Sequence, residues 1–305
     1  MFTTRAITRQ NYSQTDLGAR AEFHHIVGAL VIELTRGCSP FVRQVNADSD
    51  GNFHDLDYFY TPEGRESAPD VLSVTFGDLH ELFLDRKVRK ATFEGAASIV
   101  GRLKPQYAVF HDIVDAYSVS HHHERDDVIK YRKHHTGMND ARMELDRVIA
   151  FLNETVPRET VAVIVPSNHH RHFYRWLQEA DYRKDPVNAA LILELKQKQY
   201  EHALAGESTD PFEIYVRPRL TCNHIFVKDT ESFLLAGVNH SQHGDIGPNG
   251  SRGSLNALAA LALKRTIGHG HGAGIQGGIF RVGVSTGHLD YERGLSDHSN
   301  THCLQ

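Results

Sequence analysis

The fold is decided by the stretch Val71-Leu72-Ser73-Val74-Thr75-Phe76-Gly77-Asp78-Leu79-His80. Its first six residues are mostly apolar or β-branched and end at a glycine, which predicts a buried strand. Asp78 and His80 follow two positions apart, and so they leave the strand on the same side. Ligands of open α/β sheets bind at the carboxyl ends of the strands. Although one Asp-x-His is by itself more typical of a capped turn, these two residues are candidate ligands.

Further polar residues follow apolar runs in the same way. Strands predicted at 106–110, 160–165 and 233–238 lead into such residues, and another group precedes a strand predicted at 278–284. These residues are Asp112, Asn168 with His169, His243, and His269 with His271. Taken singly, Asn168-His169 would fit a turn with a helix N-cap, and His269-Gly270-His271 would fit a glycine-rich surface loop. Their repetition at successive strand ends favours a common site.

Helices are predicted between the strands, and this alternation is typical of an α/β fold. The spacing of apolar residues predicts helices over 88–103, 141–152, from His170 past Trp176, and over 255–262. Another is predicted over 186–205, with Pro186 in its first turn. Residues 206–230 are predicted to be irregular. The histidine-rich residues 121–135 are predicted to form a solvated loop.

The N-terminal part has a different character. Residues 1–20 are polar and without periodicity, which predicts a loose arm, and strands are predicted at 25–34, 41–45 and 53–60. Residues 1–69 are therefore expected to form a β-rich segment packed on a main domain of residues 70–305, either as a separate unit or as part of one continuous domain. Pro62 and Pro69 mark the expected junction. The last residues stop as if a strand were beginning, and we expect the chain to be part of a longer protein or a shortened relative of one.

Composition limits the classes of function. The chain has 305 residues, of which 40% are hydrophobic and 23% charged, as in ordinary globular proteins. No apolar run is long enough for a membrane span, and no secretory signal follows Met1. The 3 cysteines lie far apart, which argues against a disulfide framework and suits a cytoplasmic protein. With a net charge of −5, a nucleic-acid partner would need local basic patches.

Histidine is unusually abundant, with 22 residues, and carboxylates accompany it at the strand ends. A mixture of carboxylate and imidazole suits Mn, Fe or Zn and not a thiolate site. One carboxylate can bridge two ions, and two ions about 4 Å apart can clamp a phosphate and activate a water.

The order Asp-x-His, Asp-x-x-Asp, Asn-His, His and Gly-His-x-His resembles the calcineurin-like metallophosphoesterases over about residues 70–290. The most specific motif is Gly268-His269-Gly270-His271, which is followed by the glycine-flanked stretch Gly278-Ile279-Phe280-Arg281-Val282-Gly283. The resemblance implies a four-layer α/β/β/α sandwich, here with the additional N-terminal β-rich segment. The metals would lie at strand ends along one edge.

The resemblance also implies a role for each matching residue. Asp78, His80 and His271 would hold one divalent ion, and Asn168, His243 and His269 would hold the other. Asp112 would bridge the two ions, which are expected to be Mn, with Fe, Zn and Mg as alternatives. His169 would be the catalytic histidine, and a metal-bridging hydroxide would attack a phosphodiester in line. Asp115 matches the second Asp of the family's Asp-x-x-Asp and is expected to support the ligands.

The chain departs from the family pattern in two motifs. His111-Asp112 stands where the family has Gly-Asp, and Ser167-Asn168-His169-His170 ends in histidine where the family has a carboxylate. The partner that orients His169 is therefore open. His240 competes with His243 for the fourth motif, and the following Gly244 favours His243.

Several stretches suggest the substrate. The segments around Phe23-His24-His25, Arg43-Gln44-Val45 and 240–253 are similar to phage-type members of the family, which are linked to host-DNA degradation. This likeness implies a Mn-dependent DNase with DNA as its partner, acting in the host cytoplasm if phage-encoded. Arg252, in the glycine-rich stretch 247–254, and His122 and His123 are candidate substrate contacts, although a flexible loop and a solvated loop explain these segments equally well or better.

Two other functions compete with the nuclease. One is a phosphatase or phosphodiesterase acting on a small or protein-borne phosphate. The other is a non-catalytic DNA-binding or scaffold module that keeps the fold, against which the complete set of ligands argues. The sequence leaves open whether the chain forms a homo-oligomer.

Overall fold

The structure is a computed structural model that describes residues 6–34, 36, 41–56, 58–67, 71–261, 263–287 and 302–304. The proposed junction at Pro69 lies outside these residues. Within them no helix is long and apolar enough to cross a membrane.

The N-terminal part is β-rich, as predicted, but it starts with a helix. Helix α1 (Asp16–His24) begins where the Thr15 hydroxyl accepts a hydrogen bond from the Gly18 amide, so the end of the predicted loose arm is helical. Two small antiparallel sheets follow, formed by strands β1 (Gly28–Glu33) and β2 (Phe41–Asn46), then β3 (Phe53–Asp55), β4 (Tyr58–Thr61) and β5 (Gly64–Ser67).

The prediction of one strand over 53–60 is wrong, because Leu56 has a positive φ of 53° and the chain turns back there. Pro62 lies in the turn between β4 and β5.

The remaining elements alternate between strands and helices, and this confirms the α/β class. In chain order they are β6 (Ser73–Thr75), α2 (Arg86–Phe93), α3 (Ile99–Leu103), β7 (Tyr107–Phe110), α4 (Asp127–Thr136), α5 (Ala141–Thr155), β8 (Val161–Ile164), α6 (Asn168–Glu179), α7 (Ala189–Ala205), α8 (Pro211–Val216), β9 (Asn223–Phe226), β10 (Leu234–Leu235), β11 (Val238–Asn239), α9 (Leu255–Ala259), β12 (Arg265–Ile267), β13 (Gly274–Gln276), β14 (Ile279–Arg281) and β15 (Cys303–Leu304).

The first large sheet has the order β15-β6-β7-β8-β9. Strands β6 to β9 are parallel, and Val74, Ala108 and Ala162 are paired across three of them. Because parallel strands end at the same edge of a sheet, the loops after β6, β7 and β8 come together. These loops carry Asp78, Asp112 and Asn168.

The second large sheet has the order β10-β11-β12-β14-β13 and meets the first beside Asp78. The Asp78 amide donates to the Gly283 carbonyl at 2.9 Å, and the Ser285 amide donates to the Asp78 carbonyl at 2.8 Å. A Cβ on Gly77 would lie 2.9 Å from the Gly283 carbonyl carbon, so only glycine allows this approach. The loop after β12 is thereby brought to the strand ends of the first sheet.

Helices cover one face of the first sheet and form the main core. Phe76 and Phe110 pack against Phe93 and Phe151 of helices α2 and α5. Burial of such side chains stabilises the fold by about 1.5–3 kcal/mol each. This rigid layer holds the strand ends in fixed positions.

Two predicted helices have different bounds. The helix expected over 88–103 is two helices, because Gly95 adopts a φ of 81° between them. The helix expected to start at Pro186 starts at Ala189 instead, because the Asn188 amide side chain bonds the Asn139 carbonyl and the Asp185 carboxylate at the turn before it.

Other predictions missed elements altogether. Residues 206–230 contain α8, capped by Asp210 with Pro211 in its first turn, and β9, the edge strand of the large sheet. The expected loop at 121–135 contains a 3-10 turn at His121–His123 and helix α4. The expected strand at 233–238 is a tight hairpin that turns at Ala236 and Gly237, both with positive φ.

Candidate metal centre

The candidate ligands converge at the edge where the two large sheets meet. Asp78 follows β6, Asp112 follows β7, and Asn168 is the first residue of α6 after β8. The other four lie in loops around the second sheet and after β6, namely His80, His243, His269 and His271. Buried aspartates and histidines in this arrangement could hold a metal ion.

One group consists of Asp78, His80 and His271, whose ligand atoms all lie within 4.8 Å of one another. The His271 Nε2 is 3.6 Å from the Asp78 Oδ2. Asp78 and His80 are fully buried, and His271 is partly exposed. A carboxylate and two imidazoles with one side open form a suitable set for a divalent transition metal.

Asp112 lies at the middle of the cluster. Its Oδ2 is 2.9 Å from the His243 Nε2 and 3.8 Å from the Nε2 atoms of both His80 and His169. Asp112 also forms a second group of potential ligands with Asp78 and His243. A carboxylate between two sets of imidazoles is positioned to bridge two ions.

Asn168 and His269 complete the surroundings. Asn168 directs a buried Oδ1 for which no hydrogen-bond partner exists among the described residues. The backbone amide of His269 donates to the Asp78 Oδ2 at 2.7 Å, and the His269 ring centroid is 5.5 Å from that of His243.

Several ligand atoms are buried without hydrogen-bond partners within the described part of the chain. They are Asp78 Oδ1, Asp112 Oδ1, Asn168 Oδ1 and His80 Nε2. A buried polar atom left unpaired costs about 1–3 kcal/mol, and more if it is charged. Bound cations would satisfy these lone pairs, and so the residues present fit a metal centre.

The protonation states of Asp112, His269 and His271 suit cation binding, whereas the neighbouring carboxylates, Asp115 first, raise the pKa of His80 to about 9 against the effect of burial. Burial would raise the Asp112 pKa, but His243 and His169 hold this pKa well below its ordinary value. Burial lowers the pKa of His269 to about 4 and that of His271 to about 3. These two imidazoles are therefore neutral at pH 7, which is the form that binds metals.

Four ligands have left-handed backbones, with φ values of 43° at His80, 42° at Asp112, 65° at His269 and 48° at His271. Each such conformation costs a non-glycine residue roughly 1–3 kcal/mol. Backbone hydrogen bonds hold two of them together, since the His80 amide donates to the Asp112 carbonyl at 2.7 Å. Such strain at one site is typical of functional centres.

His169 is oriented by Asp115, which answers the question left by the missing family carboxylate. The His169 Nδ1 hydrogen-bonds the Asp115 backbone carbonyl, and the Nε2 then points to the centre. The Asp115 carboxylate lies 2.9 Å from the His80 Nδ1. One residue therefore supports two histidines of the centre.

The two other departures from the family pattern have structural partners. The His111 Nδ1 is 3.4 Å from the His243 Nδ1, beneath the ligand. The His170 Nδ1 accepts a hydrogen bond from the Ser167 amide, and its ring packs 4.3 Å from that of Phe212. His170 therefore caps helix α6 and does not face the centre.

His243, and not His240, lies next to Asp112. The His240 Nδ1 is 2.8 Å from the Thr266 hydroxyl and 3.3 Å from that of Thr75. These contacts hold His240 between the two large sheets.

The three candidate substrate residues lie around the centre. Arg252 is exposed, and its charge is close enough to His269 to contribute to the lowered pKa of that histidine. His122 is exposed and stacks with His121 at 3.9 Å, whereas the His123 ring is 5.1 Å from that of Tyr117. Of the two histidines, His123 contacts the Tyr117 ring, and the Lys133 ammonium group lies over that same ring.

Sequence reasoning identified Asp115 as a support for the ligands, without its contacts, and missed the roles of His111 and Gly268. Asp115 was recognisable as the second Asp of Asp-x-x-Asp, but its two contacts depend on the left-handed turn at Asp112. His111 gave no signal beyond its departure from glycine. Gly268 is required because a Cβ there would lie 2.0 Å from the Asp78 Oδ1.

The chain is similar to Protein A1 of Escherichia phage T5. The two are 34% identical over 321 residues, an alignment that covers 100% of this chain and 56% of that protein. The chain thus spans about half the length of its relative. No family model matches the chain, and no solved structure matches it.

Proposed function

We propose that this chain is a two-metal phosphodiesterase, acting as a Mn-dependent DNase. The observation that carries the proposal is the convergence of Asp78, His80, Asp112, His243 and His271, with His269 beside His243 and with the Asn168 Oδ1 buried and unpaired within the described residues. We also infer a metallophosphoesterase sandwich in which the two five-stranded sheets form the inner layers. The similarity to a phage protein supports the inference that the chain is phage-encoded.

In this proposal each ion has its own ligands and shares Asp112. Asp78, His80 and His271 hold the first ion, and Asn168, His243 and His269 hold the second. When bound, two such ions supply Lewis acidity that activates water and neutralises phosphate charge. The mixture of carboxylates, an amide and imidazoles suits Mn²⁺.

His169 acts on the phosphoester itself. Its Nδ1–H donates a hydrogen bond to the Asp115 carbonyl. The Nε2 therefore faces Asp112 and can contact the substrate. In its protonated form this Nε2 donates a proton to the leaving oxygen, or a hydrogen bond to the phosphate.

Exposed Arg252 contributes to DNA binding. The net charge of −5 gives no general attraction to a polyanion, and so local cations must bind the phosphates. The Arg252 charge is close enough to His269 to contribute to the lowered pKa of that histidine, and so it can attract a phosphate bound at the centre.

The test is incubation of the chain with linear duplex DNA and Mn²⁺, alongside an EDTA control and a small aryl phosphodiester. We expect DNA cleavage that EDTA abolishes. We also expect Arg252→Ala to slow the cleavage of DNA more than it slows the hydrolysis of the small ester. Hydrolysis of the small ester alone would reject DNA as the substrate. Hydrolysis of neither, with metal bound, would leave the non-catalytic alternative.

A further inference from the structure

A second histidine cluster lies outside the proposed ligand set. It consists of His121 and His122, in the 3-10 turn after β7, and His172 of helix α6. The ring centroids of His121 and His122 are 3.9 Å apart, and those of His121 and His172 are 4.8 Å apart. One ligand nitrogen from each of the three lies within 4.8 Å of the others.

The cluster is adjacent to the proposed metal centre. His172 lies four residues after Asn168 on α6, and so both face the same side of the helix. Its ring centroid is 5.2 Å from that of His169. The turn that carries His121 and the helix that carries His169 therefore meet at this cluster.

The imidazoles of His121 and His172 are in the neutral form that binds metals. Burial lowers the pKa of His172 to about 4 and also lowers the pKa of His121. The His121 Nδ1 is buried with no hydrogen-bond partner in the described part of the chain. An uncharged nitrogen without a partner is available as a ligand.

The neighbouring charges are compatible with a cation. A small cavity beside the cluster is lined by Glu124, Arg175 and Glu179, among others. The Arg175 Nε donates to the Glu179 Oε1 at 3.0 Å, which balances that positive charge. Glu124 adds a carboxylate on the open side of the cluster.

We propose that His121, His122 and His172 bind one further divalent ion of the zinc class. Three imidazoles without a carboxylate select a softer ion than the carboxylate-rich centre, and Zn²⁺ commonly takes three protein ligands with one open position. The ion ties the 3-10 turn to α6 beside His169, and this site stands whether or not the neighbouring centre cleaves DNA.

Closing the site requires only small movements. With Zn–N bonds of about 2.0–2.1 Å, tetrahedral geometry places ligand nitrogens roughly 3.4 Å apart. His122 is exposed, and rotation of its side chain brings its nitrogen toward the other two.

The experiment measures zinc bound per chain. The protein is saturated with Mn²⁺, exposed to Zn²⁺, passed through a desalting column and analysed by mass spectrometry of the metals. We expect wild-type protein to retain one zinc more than His172→Ala or His122→Ala. The amount of zinc that displaces manganese at the other centre is equal in all variants. The difference in zinc content between wild type and variant therefore reports on the histidine cluster alone.

The matched control is His134→Ala with His135→Ala, which removes two exposed histidines of α4 outside the cluster. We expect this control to retain wild-type zinc. Equal zinc in wild type and His122→Ala would overturn the proposal, as would an equal loss in the control. Because the His122 side chain is exposed, its removal leaves the fold intact, which circular dichroism verifies.

Discussion

His169 is the residue whose loss separates catalysis from metal binding. It contacts the Asp115 carbonyl and faces Asp112, but is not one of the proposed ligands. We expect His169→Ala to keep its manganese and to cleave DNA about 10²–10⁴-fold more slowly, as for a lost general acid. The measurements are the cleavage rate and the metal content of the same sample. A fall in manganese would make His169 a ligand and the assigned role wrong.

Gly268 is the backbone position that leaves room for the Asp78 carboxylate. A Cβ at this position would lie 2.0 Å from the Asp78 Oδ1 and 3.0 Å from the His243 Cε1. We therefore expect Gly268→Ala to displace both ligands and to lose most bound manganese.

Gly287→Ala is the control for that variant, because a Cβ on Gly287 meets nothing within 4 Å among the residues that the structure describes. It should bind manganese as wild type does. Normal manganese content in Gly268→Ala would show that Asp78 does not need its present position.

At this scale the sequence predicted which residues meet, but not how they are held. Most of the proposed ligands followed a predicted strand, and His269 and His271 preceded one, which is a signal visible in the chain. The positive φ values of His80, Asp112, His269 and His271 carried no such signal, since these residue types rarely adopt them. The contact of His169 with the Asp115 carbonyl depends on these backbone conformations, and so it could not be predicted from the sequence.

At the scale of elements, His302 connects strand β15 to the segment that leads from β6 to Asp78. The Gly77 amide donates to the His302 Nδ1 at 3.1 Å, and the His302 Nε2 lies 3.1 Å from the Thr92 hydroxyl. Because the Nδ1 accepts a hydrogen bond, protonation would break this contact. Burial accordingly lowers the His302 pKa from 6.5 to about 4.

This shift predicts a pH dependence of stability. Between pH 6.5 and about 4 the unfolded chain gains the His302 proton and the native chain does not, so the free energy of unfolding falls as the pH falls. His302→Asn keeps a hydrogen-bond acceptor but does not titrate. We expect its free energy of unfolding to change less steeply with pH, by an amount that corresponds to up to about one proton. Urea unfolding in EDTA between pH 4 and 7 measures it.

The control is His135→Asn, in the exposed last turn of α4, which should leave the wild-type slope unchanged. A slope in His302→Asn that matches wild type would mean that His302 is not held in its neutral form.

The parallel strands were predictable because they are buried on both faces and show continuous apolar runs. Strand β9 was missed because its sequence Asn223-His224-Ile225-Phe226 is short and half polar, as befits an edge strand. Helix α8 was missed although Asp210 and Pro211 are typical of a helix start. The interruption of the predicted helix at Gly95 required the positive φ that only the fold specifies.

At the scale of the whole molecule, metal binding should be coupled to stability. The fully buried Asp78 and Asp112 are costly to the metal-free fold, and a ligand that binds only the native state stabilises it. We expect Mn²⁺ at about 100 times its Kd to add roughly 2.7 kcal/mol to the free energy of unfolding. Thermal unfolding with and without Mn²⁺ measures the shift, and an unchanged Tm would count against a buried centre.

The α/β class followed from the alternation of predicted elements, and the structure confirms it. The meeting of the two large sheets at Asp78, Gly283 and Ser285 was not predictable, because it depends on contacts between residues more than 200 positions apart. The proposed site lies at this contact, where neither sheet alone provides all of the ligands.

The central claim is a pair of metal ions bridged by Asp112, and low-temperature electron paramagnetic resonance of the Mn²⁺-loaded protein tests it most directly. The account predicts the spectrum of a spin-coupled manganese pair in wild-type protein. It also predicts that Asp112→Asn loses both this spectrum and DNA cleavage, while the exposed control Asp50→Asn retains them. A spectrum of isolated manganese ions in fully loaded wild-type protein, or an unaltered pair in Asp112→Asn, would contradict the account.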